Sequence, residues 1–372
     1  MAFSTNSTPQ LNSTFVLLVE APYTYPELVL CAVGFSILIV LAISGNSLVL
    51  VALARTKKLQ NVTNVFVVNL SVTDFLTSLA IMWMVPGMLS KTPGYPLQPD
   101  IPCVVSAALA QITLSSSLFT LANIALNRCI LITRRIETYQ WLYTPRKTAL
   151  MVFGSWLIPV CTTIIPPLSG IGGLGFDPKT RFCKDIETHP RVDEYDGLQF
   201  VVFFPLPFLV IATSYLLIWR HVRRHFKKRQ QDVGLHGLQV PNVNASRPGP
   251  SSSSQQESDV DDAHTSSSPQ PARIIDTQSA SQLSRIRSEQ LAITKNLCLI
   301  VLAFIVCVIP YAIIDITGNN RFELYGALIL FVSSSINPLI YSVKHPHLGP
   351  VMRSLVSSRC TSGSSGSSIE VP

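Results

Sequence analysis

Apolar residues fall along this chain in seven long blocks, separated by short polar or basic segments. Each block is long enough to cross about 30 Å of hydrocarbon as a helix rising about 1.5 Å per residue. The pattern predicts spans over 28–54, 62–89, 101–133, 148–168, 198–219, 291–314 and 324–343. Asp74, Arg128 and Asn337 interrupt three of them. A charge in lipid costs about 2.5–3.5 kcal/mol even on insertion scales. These residues therefore belong to the inside of a bundle, and the spans are not independent anchors. The predicted fold is an all-α membrane protein, a seven-transmembrane helix bundle.

Composition agrees with that class. Hydrophobic residues make up 48% of the chain and charged residues 13%, with a mean hydropathy of +0.37; soluble domains carry about 25% charged residues. The net charge of +7 does not imply nucleic acid, because the basic residues cluster between apolar blocks, as in "RTKK" and "RHVRRHFKKR". That is the positive-inside pattern. No Lys or Arg precedes the first block, so the N-terminus lies outside and the C-terminus inside. The first block starts too late and runs too long for a cleavable signal peptide, and none is expected.

Residues 1–27 read as an extracellular tail with glycosylation sequons at Asn6 and Asn12. Residues 28–229 hold the first five spans. Residues 230–284, rich in Ser, Pro, Gln and Asp, cannot bury enough apolar surface to offset ordering entropy and are predicted to be a disordered cytoplasmic loop. Residues 285–356 hold the last two spans and a short amphipathic helix, followed by a cytoplasmic tail at 357–372. Of eight cysteines, Cys103 and Cys183 alone fall outside the membrane on the oxidising face, which predicts a disulfide. Cys31, Cys161, Cys298 and Cys307 read as small apolar packing residues. Cys360, after the amphipathic stretch, is either palmitoylated or a free thiol. No nucleophile–base pair, metal-spaced His/Cys set or phosphate loop is visible, and no enzyme activity is expected.

Several short patterns fall on successive spans: "GNSLVL", "NLSVTD", Cys103 followed by "NRC", Trp156, "FFPLPFLVIATSY", "FIVCVIP" and "NPLIY". Collinear and correctly spaced over residues 28–356, they resemble the rhodopsin-like (class A) G-protein-coupled receptors. The resemblance implies a sodium ion and waters around Asp74, with Asn46, Ser117, Ser334 and Asn337 as neighbours, and no other cofactor. It implies a packing switch of Leu118, Pro207 and Phe304, a hinge at Pro310, and a G-protein switch of Asn127, Arg128, Tyr215 and Tyr341. It also implies a ligand site between the third, fifth, sixth and seventh spans, lined by Gln111, Leu114, Phe200, Phe203, Tyr311, Asp315 and Phe331. The loop after the fourth span adds Asp185 and Glu187.

The departures are informative. Val308 stands where most members have tryptophan, Ala110 where amine receptors carry aspartate, and 326–335 contains no lysine for retinal. A monoamine ligand and an opsin are both disfavoured, which leaves a lipid, a small apolar molecule or a short peptide. The Asn-Arg triplet is similar to that of the melatonin, moody and trapped-in-endoderm receptors, although "NP" at 337–338, Phe203 and Pro166 depart from the melatonin pattern. The expected function is transduction of an extracellular ligand to a heterotrimeric G protein at the plasma membrane, with arrestin and receptor kinases as further partners. A non-signalling ligand-binding receptor is the alternative, and a transporter a weaker one.

Overall fold

A capping pair starts the first helix: the Glu27 carboxylate accepts the Thr24 backbone N–H at 2.7 Å, and α1 runs over Tyr25–Arg55. Asn61 caps α2 (Val62–Met82) by accepting the Asn64 N–H at 3.0 Å. The second span breaks after Met82, because Pro86 has no N–H to return to its carbonyl, and resumes as α3 (Val85–Leu89). The computed structural model describes residues 22–56, 61–92, 94–236, 272–318 and 320–361. Asn6, Asn12 and the tail after 361 lie outside them.

The third span, α4 (Ile101–Thr133), crosses the centre of the bundle. After it come a short helix α5 (Ile136–Leu142) and the fourth span α6 (Pro145–Leu168), which opens on proline at its first position. A hairpin follows, β1 (Leu174–Asp177) antiparallel to β2 (Phe182–Asp185) with Phe176 opposite Cys183. The fifth span is two helices, α7 (Val192–Phe203) and α8 (Pro205–His236), broken at Phe204 where prolines at 205 and 207 remove two helical N–H donors. The sixth is α9 (Ala272–Thr317) and the seventh α10 (Asn320–Lys344), each with an internal proline, Pro310 and Pro338. The short helix α11 (Leu348–Thr361) takes in Cys360.

Among the described residues, seven helical segments are long and apolar enough to span a membrane. The predicted ranges for the second and third, 62–89 and 101–133, coincide with the observed ones. The fifth starts six residues earlier than expected, at Val192. Its charged opening "VDEYDG" reads as loop from hydropathy alone, yet it is helical. The α8 and α9 helices also run into the stretch expected to be disordered, as far as His236 and from Ala272. Residues 237–271 of that stretch lie outside the described residues.

The central helix α4 packs against α2, α6, α8, α9 and the hairpin. Its buried residues include Ser106, Thr113, Ser116, Thr120, Asn127 and Arg128, so the bundle interior is partly polar. Leu30, Val33, Ile37 and Val40 of α1 face outward, as lipid-facing positions do.

At the inner end His345 is buried and its Nδ1 accepts the Leu348 N–H at 3.1 Å, capping α11. Burial, with Arg128 and His347 nearby, lowers its pKa from 6.5 to about 4. The neutral ring is the form that fits. This contribution to stability is complete above pH 6.5 and is lost as pH falls from 6.5 towards 4. Amide exchange at 348–352, corrected for intrinsic rate, is expected to rise between pH 7 and pH 5, and His345→Gln removes that dependence. Equal protection at both pH values contradicts the cap.

Candidate functional site

Cys103, in the first turn of α4, is bonded to Cys183 in β2, with Cα atoms 5.4 Å apart. This pins the hairpin across the outer end of the bundle. A second clamp lies beside it: Lys184 Nζ meets Glu323 at 2.6 Å, Glu187 at 2.7 Å and Asp177 at 3.8 Å. Burial works against the charge on Lys184, but Glu323 and Glu187 outweigh it and raise its pKa. Glu187 is held between Lys184 and Lys179 and does not line the cavity, contrary to expectation. Cys103→Ser is expected to cost about 2–4 kcal/mol and to lower surface expression and thermal stability together. Unchanged expression and melting contradict the tether.

Beneath the hairpin lies a cavity of about 210 Å³. Eight of the nine residues expected there line it: Gln111 and Leu114 from α4, Phe200 and Phe203 from α7, Tyr311 and Asp315 from α9, Phe331 from α10 and Asp185 from β2. They are not equivalent. Phe203 is buried and packs edge-on to Phe119 at 6.5 Å, whereas Phe200 is 46% exposed and stacks along the fifth span on Phe204 at 5.4 Å. Gln111 Oε1 lies 3.2 Å from the hydroxyl of the fully buried Tyr195, which also reaches Thr163 O at 3.1 Å. Burial raises the Asp185 carboxyl, with Lys184 opposing. Lower down, Phe304, Val308 and Leu118 form the cavity floor and join the buried core of the inner half.

Asp74 is buried below that floor. Asn337 Nδ2 donates to its Oδ2 at 2.8 Å, and Ser117 Oγ lies 3.4 Å from Oδ1. Ser117 has a closer partner in Thr73 Oγ1 at 2.8 Å. Asn46 does not reach the carboxylate; it donates to Ser334 O at 2.9 Å. Among the described residues no cation pairs with Asp74, and Asn46 Oδ1 and Asn337 Oδ1 are buried without a donor. A buried carboxylate beside the orphaned oxygens of Asn337 and Ser334 fits a small hard cation.

At the inner end Arg128 is 3% exposed, and its Nη1 donates to Gln290 Oε1 at 2.9 Å. Nε has no acceptor, and no carboxylate pairs with the guanidinium among the described residues. Asn127 is not part of this contact. It accepts from Thr63 Oγ1 at 2.8 Å and donates to Tyr139 OH at 3.2 Å, tying α4 to α2 and α5. The side chain of Glu289 lies outside the described residues. Tyr215 OH and Tyr341 OH are buried without partners, free to take new ones if the helices shift.

Residues 45–341 match the 7 transmembrane receptor (rhodopsin family). The chain belongs to that family. Among its relatives, the G-protein coupled receptor moody of Drosophila melanogaster is 25% identical over 351 residues, 88% of this chain and 51% of moody. The 5-hydroxytryptamine receptor 4 of Homo sapiens is 26% identical over 337 residues, 85% of this chain and 76% of that receptor. The melatonin receptor type 1C of Xenopus laevis is 30% identical over 207 residues, 54% of this chain and 48% of that one. The alignment thus spans about half the length of moody. The crystal structure of squid rhodopsin superposes with a TM-score of 0.70 at 18% identity, covering 92% of this chain and 89% of that one, and shows the shared fold.

The protein is therefore a multi-pass membrane receptor and not an enzyme. In this receptor the cavity also includes Phe182, Lys184, Asp196 and Gln199, which sequence reasoning missed. Asp196 and Gln199 sit in or next to the part of the fifth span read as loop, so nothing in the hydropathy marked them as lining.

Proposed function

We propose that this receptor couples a ligand entering from outside the plasma membrane to a heterotrimeric G protein. The observation that carries the reading is the inner contact of Arg128, a buried guanidinium held by the neutral Gln290 on α9. That is a bond made to be broken when α9 swings outward, and ligand need only favour the open arrangement more strongly. The ligand is not a monoamine anchored on the third span, since Ala110 offers no charge there, although one relative is named for 5-hydroxytryptamine. The apolar cavity floor suits a ligand with an apolar body. Serine-rich stretches in 230–284 are the substrate proposed for receptor kinases and arrestin. A panel of G proteins read without ligand in cells, beside a solute-flux assay, tests the reading. Ligand-independent exchange on at least one G protein supports it; flux supports a transporter, and neither supports a silent receptor.

Sodium is proposed at Asp74, with Asn337, Ser117 and Ser334 as further oxygen donors. Replacing choline chloride by sodium chloride at equal ionic strength is expected to raise the melting temperature of the purified receptor by about 2–5 °C. Asp74→Ala should lose that increment, and a response equal to the unsubstituted receptor's rejects the site.

A further inference from the structure

The mouth of the ligand cavity has unbalanced charge. One cation, Lys184, and three carboxylates, Asp185, Asp196 and Asp315, line it. Lys184 is taken by Glu323 and Glu187. Among the described residues none of the three carboxylates forms an ion pair. They come from β2, α7 and α9, and Asp196 lies within electrostatic reach of both others. Like charges facing one cavity are costly unless a cation joins them.

A second observation points the same way. Gln199, 7% exposed, lines the same cavity; its Nε2 donates to Thr162 O at 3.2 Å while its Oε1 meets no donor. A buried acceptor left unmet costs about 1–3 kcal/mol, and what it lacks is an N–H or O–H. The spacing excludes a bare metal ion: among the described residues no three acidic, His or Cys side chains converge closely enough to hold one. The arrangement fits an extended group that carries both charge and donors.

We propose that the ligand is an organic cation whose ammonium or guanidinium group sits among Asp185, Asp196 and Asp315 and donates to Gln199 Oε1, with its apolar body deeper against Phe203 and Phe331. The charge is gripped from the mouth, by the hairpin and by the fifth and sixth spans. The third span, with Ala110, takes no part in holding it. This rests on the cavity being the ligand site of the receptor proposed above.

The test uses the full chain in lipid nanodiscs and a set of matched probes. Each pair shares an apolar body and differs in one group, amine or guanidine against amide or urea. One arm contains small arylalkyl compounds and the other short peptides with a basic residue at one end. Only the charged members are expected to raise the melting temperature, and the arm containing them identifies the source of the cation. Asp→Asn at 185, 196 and 315 is expected to weaken the best binder by about tenfold per carboxylate. Glu at the same positions keeps most of the affinity and controls for folding. Neutral members binding as well as charged ones, no member binding, or affinity surviving the triple Asn variant each overturn the proposal. Ligand-free nucleotide exchange by the unsubstituted receptor in the same discs reports the receptor reading separately. Exchange without cation binding sinks only the ligand class, and cation binding without exchange sinks only the signalling.

Discussion

Arg128→Ala is expected to abolish nucleotide exchange on the G protein while leaving ligand affinity within about threefold. The guanidinium is 3% exposed at the inner end of α4, with one Nη1 contact to Gln290 and an Nε that has no acceptor. A buried cation with spare donors is destabilising in the closed bundle. When α9 moves away, the same donors become available to carbonyl groups of an entering G-protein segment. Alanine removes the positive charge and every donor at once. The outer cavity lies far along the same helix, with Asp74, Ser117 and Leu118 between, so its lining is unaffected. Binding of a probe and exchange, measured on the same preparation, separate the two ends. Exchange that survives the substitution would show that Arg128 is only a packing residue.

Changing Gln290 should move basal signalling in both directions. Hydrogen bonds to charged groups contribute about 1.5–3 kcal/mol, and a carboxylate acceptor is stronger than a neutral one. Gln290→Glu supplies the missing negative charge to Arg128 and should lower ligand-free exchange about tenfold. Gln290→Ala leaves Nη1 without its acceptor in the closed state and should raise it. Asn127→Asp also adds a negative charge near Arg128 and is expected to quieten the receptor. Its effect is smaller, because Asn127 is already occupied by Thr63 and Tyr139. Neither Asn127 nor Gln290 titrates, so basal exchange should show little proton dependence from this contact. If the Glu and Ala variants at 290 signal alike, the contact is not the lock.

Much of this was legible in the sequence, for reasons that differ by region. Helix spans follow from hydropathy because a bilayer demands long apolar segments with satisfied backbones, and 101–133 was read to the residue. The Cys103–Cys183 bond follows from compartment, and seven of the cavity residues follow from a resemblance that fixes which face of each span turns inward. Partnerships between polar side chains were harder. The resemblance joins Asn127 and Arg128 in one triplet, but successive residues on a helix point about 100° apart, and Asn127 turns towards α2 and α5. Glu187 was assigned to the cavity by its nearness to Cys183, yet two lysines of its own loop hold it. Asp196 escapes a reading from hydropathy because a charged helix start looks like a loop until its neighbours are known.

Activation of a G protein through an uncharged inner lock is read out in ligand-free nucleotide exchange. The full chain is reconstituted in nanodiscs and compared with Arg128→Ala and Gln290→Glu against a panel of purified G proteins. Exchange above empty discs is expected for at least one G protein, strongly reduced by Gln290→Glu and absent in Arg128→Ala. Exchange of equal rate in all three proteins, or none from the folded unsubstituted receptor with any G protein, would contradict it.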